Sequence, residues 1–371
     1  MTASSDYLAK LEKYRTNIDA IDDQILDLLN RRTREVCAVG RLKEKHEERK
    51  GSFYRPDREA SILRRLIESN EGPISKDALS AIFREIISQS LSLEQRQKVA
   101  YLGPEGTFSE QAAIKHFGSA PDYFPCASFE EIFRNVEHGT VDWAVVPIEN
   151  STEGAVSRVL DFLMESPVKI CAEILVPIRQ NLLCLQDDFD KIERVYSHQQ
   201  SLSQCYHWLN ANLPHAERIA VTSNGEAARL ASLDSKACAI AGEVAQKHYP
   251  QLTICRRHIE DEENNTTRFV VIGIQDAQPT GHDKTTILVG LENRVGSVYE
   301  LIGPLAKHGI SMAHIESRPA KRGLGNSIWE YVFFIDLIGH HQDTPVKQAL
   351  AEVNEVAGFV KILGGYPQAI V

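Results

Sequence analysis

No CxxC pair occurs in the 371 residues, and the seven cysteines (Cys37, Cys126, Cys171, Cys184, Cys205, Cys238, Cys255) are widely spaced and odd in number. That pattern predicts neither a disulfide framework nor a zinc cage, and the thiols read as reduced. No apolar run approaches membrane-spanning length. The first residues, MTASSDYLAKLEKY, carry charge where an export signal needs an apolar stretch, which predicts a cytoplasmic protein. A basic block is also missing. Residues 1–97 hold 18 Lys+Arg against 17 Asp+Glu, whereas the rest of the chain holds 23 against 34. This acidic remainder would repel a phosphate backbone, so nucleic-acid binding is not expected. What is present is the composition of a globular protein, 43% hydrophobic and 25% charged, long enough for two or three domains.

The first segment has helical periodicity throughout, with Leu11, Tyr14, Ile18, Ile21, Ile25, Leu28, Val36, Val39 and Leu42 three or four residues apart or at multiples of these spacings. A helix over residues 7–46 would be roughly 60 Å long, more than so small a domain can cover, and so calls for a partner chain. A second helix is predicted from Pro56, and a third from Ser75 as N-cap. From Val99 the pattern changes. Strand-like runs at 99–102, 143–148, 169–176, 181–185, 237–241 and 268–274 alternate with helical runs opening at Ser109, Ser128, Ala155, Ser201 and Asn224, which predicts an α/β domain. Residues 276–284 have the Pro, Gly and polar content of a linker. Beyond them the order strand, helix, strand, strand, helix, strand predicts an α+β ferredoxin-like domain. The chain thus divides into residues 1–97, 98–276 and 285–371.

Charged residues occupy inward positions of the helical segment. Arg32 and Lys43 are eleven residues apart, about three turns, and share a face, whereas Arg15 is about 100° out of phase with Arg32 and suits a partner's pocket. Ser90 and Glu94 continue the inward phase of Phe83 and Ile87. Together with Arg55-Pro-Asp-Arg58-Glu59, this pattern resembles the all-helical chorismate mutases, intertwined dimers in which each active site takes an arginine from the other subunit. The resemblance implies that Arg15 and Arg32 bind the substrate carboxylates and that Lys43 and Glu94 donate to the ether oxygen. It further implies that Glu59 binds the substrate hydroxyl and that Arg55 and Ser90 line the pocket. Some relatives carry Gln at the position of Glu94, and only a protonated Glu can donate there. Where a relative has an acidic residue, this chain has Arg55.

In the middle segment, Gly103-Pro-Glu-Gly-Thr-Phe-Ser109 forms a strand-to-helix turn without the Gly-Lys-Ser/Thr of a nucleotide loop. Polar strings follow at Glu149-Asn150-Ser151-Thr152, His198-Gln-Gln-Ser201-Leu-Ser203-Gln204-Cys205, Ser223-Asn224-Gly225-Glu226 and Asn264-Asn265-Thr266-Thr267-Arg268-Phe269. Taken together they resemble prephenate dehydratase, which implies a two-lobed α/β (periplasmic-binding-protein-like) fold with its site in the cleft. The resemblance casts Thr267, with Thr266 as its rival, as the group assisting departure of the ring hydroxyl. Arg268 would bind a carboxylate or hold the loop, Glu149 and Glu226 would position substrate or deliver a proton, and Asn150, Ser151, Ser203 and Gln204 would line the pocket.

In the last segment, Glu292-Asn293-Arg-Val-Gly296-Ser297-Val298-Tyr299 joins a strand to a helix, and Glu316-Ser317-Arg318-Pro319 ends a strand. Both resemble the phenylalanine-binding motifs of ACT regulatory domains, although Tyr299 is bulkier than the Val of a common relative. The resemblance implies an L-phenylalanine site formed by Asn293, Gly296, Ser297, Val298, Glu316, Ser317, Arg318 and Pro319. The whole chain is therefore expected to be a homodimeric or larger bifunctional enzyme of phenylalanine synthesis. It would take chorismate to prephenate and on to phenylpyruvate without metal or organic cofactor, under feedback inhibition by phenylalanine. Arogenate dehydratase activity and a non-catalytic amino-acid sensor are the alternatives.

Overall fold

The computed structural model describes residues 2–45, 54–319 and 331–370. The predicted end of the first helix at His46 lies outside the described residues, as do residues 328–330 of the strand expected over 328–338 in the last segment. Helix α1 (Thr2–Lys45) is one run of 44 residues, about 66 Å at 1.5 Å per residue. Helix α2 (Pro56–Glu68) starts with proline in its first turn. Helix α3 (Lys76–Ser92) is capped by Ser75, whose hydroxyl accepts from the Ala78 N–H. The end of α1 rests on α3, and Gly40 lies against the Glu94 side chain, although Val39 and Leu42 stay 49% and 58% exposed. Earlier in α1 the apolar stripe stays open, with Tyr14, Ile18, Ile21, Ile25 and Leu28 between 49% and 66% exposed.

Two α/β lobes follow. The first contains β1 (Lys98–Leu102), α4 (Phe108–Phe117), β2 (Asp122–Cys126), α5 (Phe129–Glu137), β3 (Trp143–Asn150), β4 (Gly154–Ala155), α6 (Ser157–Glu165) and β5 (Lys169–Pro177). The second contains β6 (Asn181–Cys184), β7 (Arg194–His198), α7 (Gln199–Gln204), α8 (Tyr206–Asn212), β8 (Glu217–Val221), α9 (Asn224–Ala231), β9 (Ala237–Ala241), α10 (Val244–His248) and β10 (Thr253–Arg256). The chain then returns to the first lobe as β11 (Thr266–Gly273), so two crossings join the lobes. The first sheet runs β2-β1-β3-β11-β5, with β4 on β3, and the second runs β10-β6-β9-β7-β8. Central strands such as β9, buried at every residue, read as continuous apolar runs because both faces are covered.

The reading of all seven cysteines as reduced is corrected. Cys184 and Cys255 form a disulfide between β6 and β10, with Cα atoms 6.4 Å apart. These strands are antiparallel neighbours, a proximity that a sequence separation of 71 conceals. The other five cysteines are free.

The C-terminal domain contains β12 (Asp283–Leu291), α11 (Ser297–Lys307), β13 (Met312–Pro319), β14 (Tyr331–Ile338), α12 (Thr344–Val356) and β15 (Phe359–Pro367). Its antiparallel sheet, in the order β13-β14-β12-β15, is ferredoxin-like. One face packs on α11 and α12 through Ile287, Val289, Ile335 and Leu337. Leu288, Val332, Phe334 and Leu363, on the other face, join the core of the first lobe. There β15 crosses β5 so closely that a Cβ on Gly364 would lie 2.1 Å from the Ile170 carbonyl oxygen, so only glycine fits. The Lys169 ammonium donates to the Ile362 carbonyl at 2.6 Å in the same seam.

Candidate active sites

The helical segment forms a half-open pocket of about 670 Å³, lined by Arg32, Lys43, Arg55, Glu59, Ser90 and Glu94. Arg32 Nη1 donates to Ser90 Oγ at 2.7 Å, and Ser90 in turn donates to the Ile86 carbonyl at 2.6 Å, so the guanidinium is oriented by a hydroxyl that the helix itself fixes. Arg55 forks onto Asp57, with Nε and Nη2 3.1 and 2.8 Å from the carboxylate oxygens. Burial pushes the Glu59 carboxyl up to about 7, against the opposing pull of Arg84. Burial also raises Glu94, opposed by Lys43 and the Gly40 backbone. The pocket therefore combines fixed cations with carboxyls that hold their protons above the usual range, an arrangement suited to an anionic ligand whose oxygen needs a hydrogen-bond donor. Arg15 is exposed on α1, outside this pocket of its own chain.

In the two-lobed domain, Thr267 on β11 lies opposite Asn150 on β3. Asn150 Nδ2 donates to Thr267 Oγ1 and to Asn265 Oδ1, both at 2.8 Å. Ser151 Oγ lies 3.4 Å from Asn265 Oδ1 and accepts from the Thr266 N–H at 3.0 Å. The Thr266 hydroxyl instead donates to the Asn264 carbonyl at 3.4 Å. In the second lobe, Gln180 Nε2 donates to Ser201 Oγ (3.0 Å) and Gln204 Oε1 (3.1 Å), while Asn224 Nδ2 donates to Ser201 Oγ at 3.0 Å. A contact between Gln204 Nε2 and Glu153 Oε1, at 3.5 Å, connects the two clusters across the lobes. Nearby, Gly225 lies against the Glu105 carbonyl, which a Cβ would approach to 2.0 Å.

Four predicted residues lie elsewhere. Successive strand residues alternate faces, so Glu149 and Arg268 point away from Asn150 and Thr267, toward the C-terminal sheet. There Glu149 lies 3.7 Å from Arg268 and 3.6 Å from His314. Ser203 is exposed and donates back to the Gln199 carbonyl. Glu226 is clasped by Arg229 through two 2.7 Å bonds, which lower its carboxyl below the ordinary range. The cluster is built instead from Gln180, Ser201, Asn224 and Asn265. Three of these lie within the polar strings of the sequence, whereas Gln180 carried no signal.

In the C-terminal domain, Gly296 adopts φ +89° just before α11, following exposed Asn293 and Val295 and preceding Ser297, Val298 and Tyr299, the last 82% exposed. Alternation along β13 divides the other motif. Ser317 and Pro319 are exposed, whereas Arg318 Nη2 pairs with Asp161 Oδ1 of α6 at 2.8 Å and Glu316 lines a small interdomain cavity with Arg268 and Asp336. Among the described residues, Asp276, His340 and His341 could bring ligand atoms within 4.8 Å of one another. His340, however, already uses one ring nitrogen on the Ala277 carbonyl and the other on the Gln342 N–H, and His341 pairs with Asp276 at 3.0 Å.

Three family matches divide the chain: chorismate mutase type II over residues 14–95, prephenate dehydratase over 99–277 and the ACT domain over 285–355. Relatives with the same arrangement include the bifunctional chorismate mutase/prephenate dehydratases of Stutzerimonas stutzeri (44% identity, covering 97% of this chain and 98% of the relative) and Neisseria gonorrhoeae (45%, 96% and 97%). A solved prephenate dehydratase in complex with L-Phe, from Arthrobacter aurescens, is 33% identical with a TM-score of 0.67, covering 73% of this chain and 90% of that one. The chain belongs to the bifunctional chorismate mutase/prephenate dehydratase family.

Proposed function

We propose that residues 1–97 rearrange chorismate to prephenate, that 98–276 convert prephenate to phenylpyruvate, and that 285–371 bind L-phenylalanine and restrain the flux. The observation that carries this reading is the pairing, on one chain, of a cationic pocket around Arg32 and Lys43 with the Asn150–Thr267 pair of a two-lobed domain.

The mutase rearrangement is pericyclic, so the pocket has to hold the compact conformer of a dicarboxylate and stabilise charge on the breaking ether oxygen. Arg32 and Arg15 of a second copy take the carboxylates, Lys43 and protonated Glu94 donate to the ether oxygen, and Glu59 meets the hydroxyl. A homodimer is supported by the apolar stripe of α1, which stays exposed among the described residues.

In the dehydratase step, the ring carboxylate leaves as carbon dioxide and its bonding electrons aromatise the ring. The C–O bond breaks, and the hydroxide takes up a proton to leave as water. Because Asn150 already fills an acceptor position of Thr267 Oγ1, the Thr267 O–H can donate a hydrogen bond to the departing oxygen, and solvent water supplies the proton that the hydroxide takes up, so the threonine keeps its own. Ser151, Gln204 and the second-lobe cluster hold the substrate. The open backbone around Gly296, with Asn293, Ser297, Val298, Ser317 and Pro319 beside it, receives L-phenylalanine, and Glu316 and Arg318 face the dehydratase lobes. No helix among the described residues is long and apolar enough to cross a membrane.

The purified chain supplied with chorismate should form phenylpyruvate, and L-phenylalanine should slow that formation. Phenylalanine binding without turnover would instead identify a sensor, and faster turnover of arogenate than of prephenate would identify an arogenate dehydratase.

The raised Glu94 carboxyl fixes the sign of a pH effect. Protonated Glu94 donates and ionised Glu94 does not, so mutase kcat should fall as pH rises through its pKa. Glu94→Gln, a donor at every pH, should flatten that fall and leave only the contribution of Glu59. An unchanged profile in Glu94→Gln would remove Glu94 from the mechanism.

A further inference from the structure

Two crossings of chain join the α/β lobes, so the contacts along the rim of the cleft decide how firmly it stays shut. One part of that rim is the turn Gly103–Ser109 of the first lobe. A Cβ on Gly106 would lie 3.2 Å from the Ala245 Cα and 3.3 Å from the Gly225 Cα, both in the second lobe, so backbone meets backbone there. A Cβ on Gly242 would meet the Phe108 ring at 3.0 Å in the same seam.

A histidine fastens this rim. His248 ends α10 in the second lobe and reaches α4 of the first, where its Nε2 donates to Glu110 Oε1 at 2.8 Å and lies 3.0 Å from Oε2. Its Nδ1 is 3.4 Å from Glu105 Oε2. Glu110 is buried, and its Oε2 also accepts the Gly106 N–H at 2.6 Å. One carboxylate thus holds both the turn of its own lobe and the imidazole of the other. The rim leads straight into the cleft: the Glu105 carbonyl packs on Gly225, and Gly225 follows Asn224, which donates to Ser201. Separation at this seam would carry the second-lobe cluster away from Asn150 and Thr267.

We propose that His248 is a positioning residue for the dehydratase reaction. By bonding Glu110 across the rim it holds the lobes closed, so that Ser201, Gln204 and Asn224 meet the substrate on which Thr267 acts. This rests on the dehydratase reading above. A latch of this kind raises the fraction of molecules competent to bind, and its loss weakens apparent affinity by that fraction, while saturating substrate still closes the cleft. Its signature is a rise in KM with kcat kept. A domain that is only destabilised loses active molecules instead, which lowers kcat at constant KM.

In the full chain, His248→Leu should raise the prephenate KM about tenfold, the scale of one hydrogen bond to a charged group, with dehydratase kcat within twofold of wild type. His248→Glu, which sets a third carboxylate against Glu105 and Glu110, should raise KM further. His248→Gln, which keeps an N–H donor, should lie between wild type and His248→Leu. Hydrogen exchange gives the second readout: His248→Glu should speed exchange on both sides of the seam, over residues 104–110 and 242–248, and leave β3, β9 and β11 protected. Mutase kcat should stay at the wild-type value. A prephenate KM within twofold of wild type in both His248→Leu and His248→Glu would overturn the proposal, as would a loss confined to kcat or faster exchange limited to α10. If His248→Glu does not fold, His248→Leu is read by both measurements. A wild-type chain that forms no phenylpyruvate from prephenate removes the dehydratase reading and this proposal with it, whereas wild-type turnover with unaffected variants removes this proposal alone.

Discussion

Thr267→Ala should lower prephenate turnover by about a hundredfold to a thousandfold, the usual cost of deleting one donor aimed at developing charge. The change removes the hydroxyl that Asn150 orients and leaves the strand and its neighbours in place. Mutase kcat on the same chain should be unchanged, and the prephenate KM should move much less than kcat, since the missing bond is one that strengthens as the C–O bond breaks. Thr267→Ser, which keeps the hydroxyl, should retain most of the activity. Thr266→Ala should be close to wild type, because that hydroxyl is turned back onto the Asn264 carbonyl. Full turnover in Thr267→Ala, with loss in Thr266→Ala, would exchange the roles of the two threonines.

The second large effect concerns the mutase and the dimer together. Arg32→Ala and Arg15→Ala should each reduce mutase kcat/KM by about a hundredfold or more, the scale expected when a transition state is deprived of one buried, charge-assisted hydrogen bond. Two inactive variants mixed, dissociated and reassociated should then recover activity. If each site draws Arg32 from one subunit and Arg15 from the other, half of the mixed dimers are hybrids with one intact site, which gives about a quarter of wild-type activity. No recovery on mixing, with both variants folded, would place both arginines in one chain's pocket and contradict their phase along α1.

The shared pocket of Arg32, Lys43, Ser90 and Glu94 was legible because one long helix converts sequence spacing into direction. Arg32 and Lys43, three turns apart, must share a face, and Ser90 and Glu94 continue a phase that Phe83 and Ile87 set. The polar cluster of the two-lobed domain was legible in its strings but not within them. Glu149-Asn150 and Thr267-Arg268 are each adjacent pairs, and in a strand adjacent residues point in opposite directions. The Asn150 and Thr267 side chains therefore meet, while their neighbours turn to another domain, a distinction that the period of two contains. Short strands hid for other reasons. Strand β2 contains Pro125, which an edge position tolerates because one side of the strand carries no ladder. Gln180, by contrast, enters its cluster only through the chain crossing between lobes, which no local pattern records.

Tyr54 belongs to the helical segment in chain order, yet its ring lies in the core of the first α/β lobe. It sits 5.2 Å from Trp143 and 5.0 Å from Phe117, centroid to centroid, and its hydroxyl is hydrogen-bonded to His116. Arg64 and Arg84, also in the helical segment, reach backbone carbonyls at Gln368 and Ile370 near the far end of the chain. The two activities therefore share part of one cohesive structure, although their sequences lie end to end. Fusion of the two here goes beyond tethering, since a side chain from the helical segment completes the core of the first lobe.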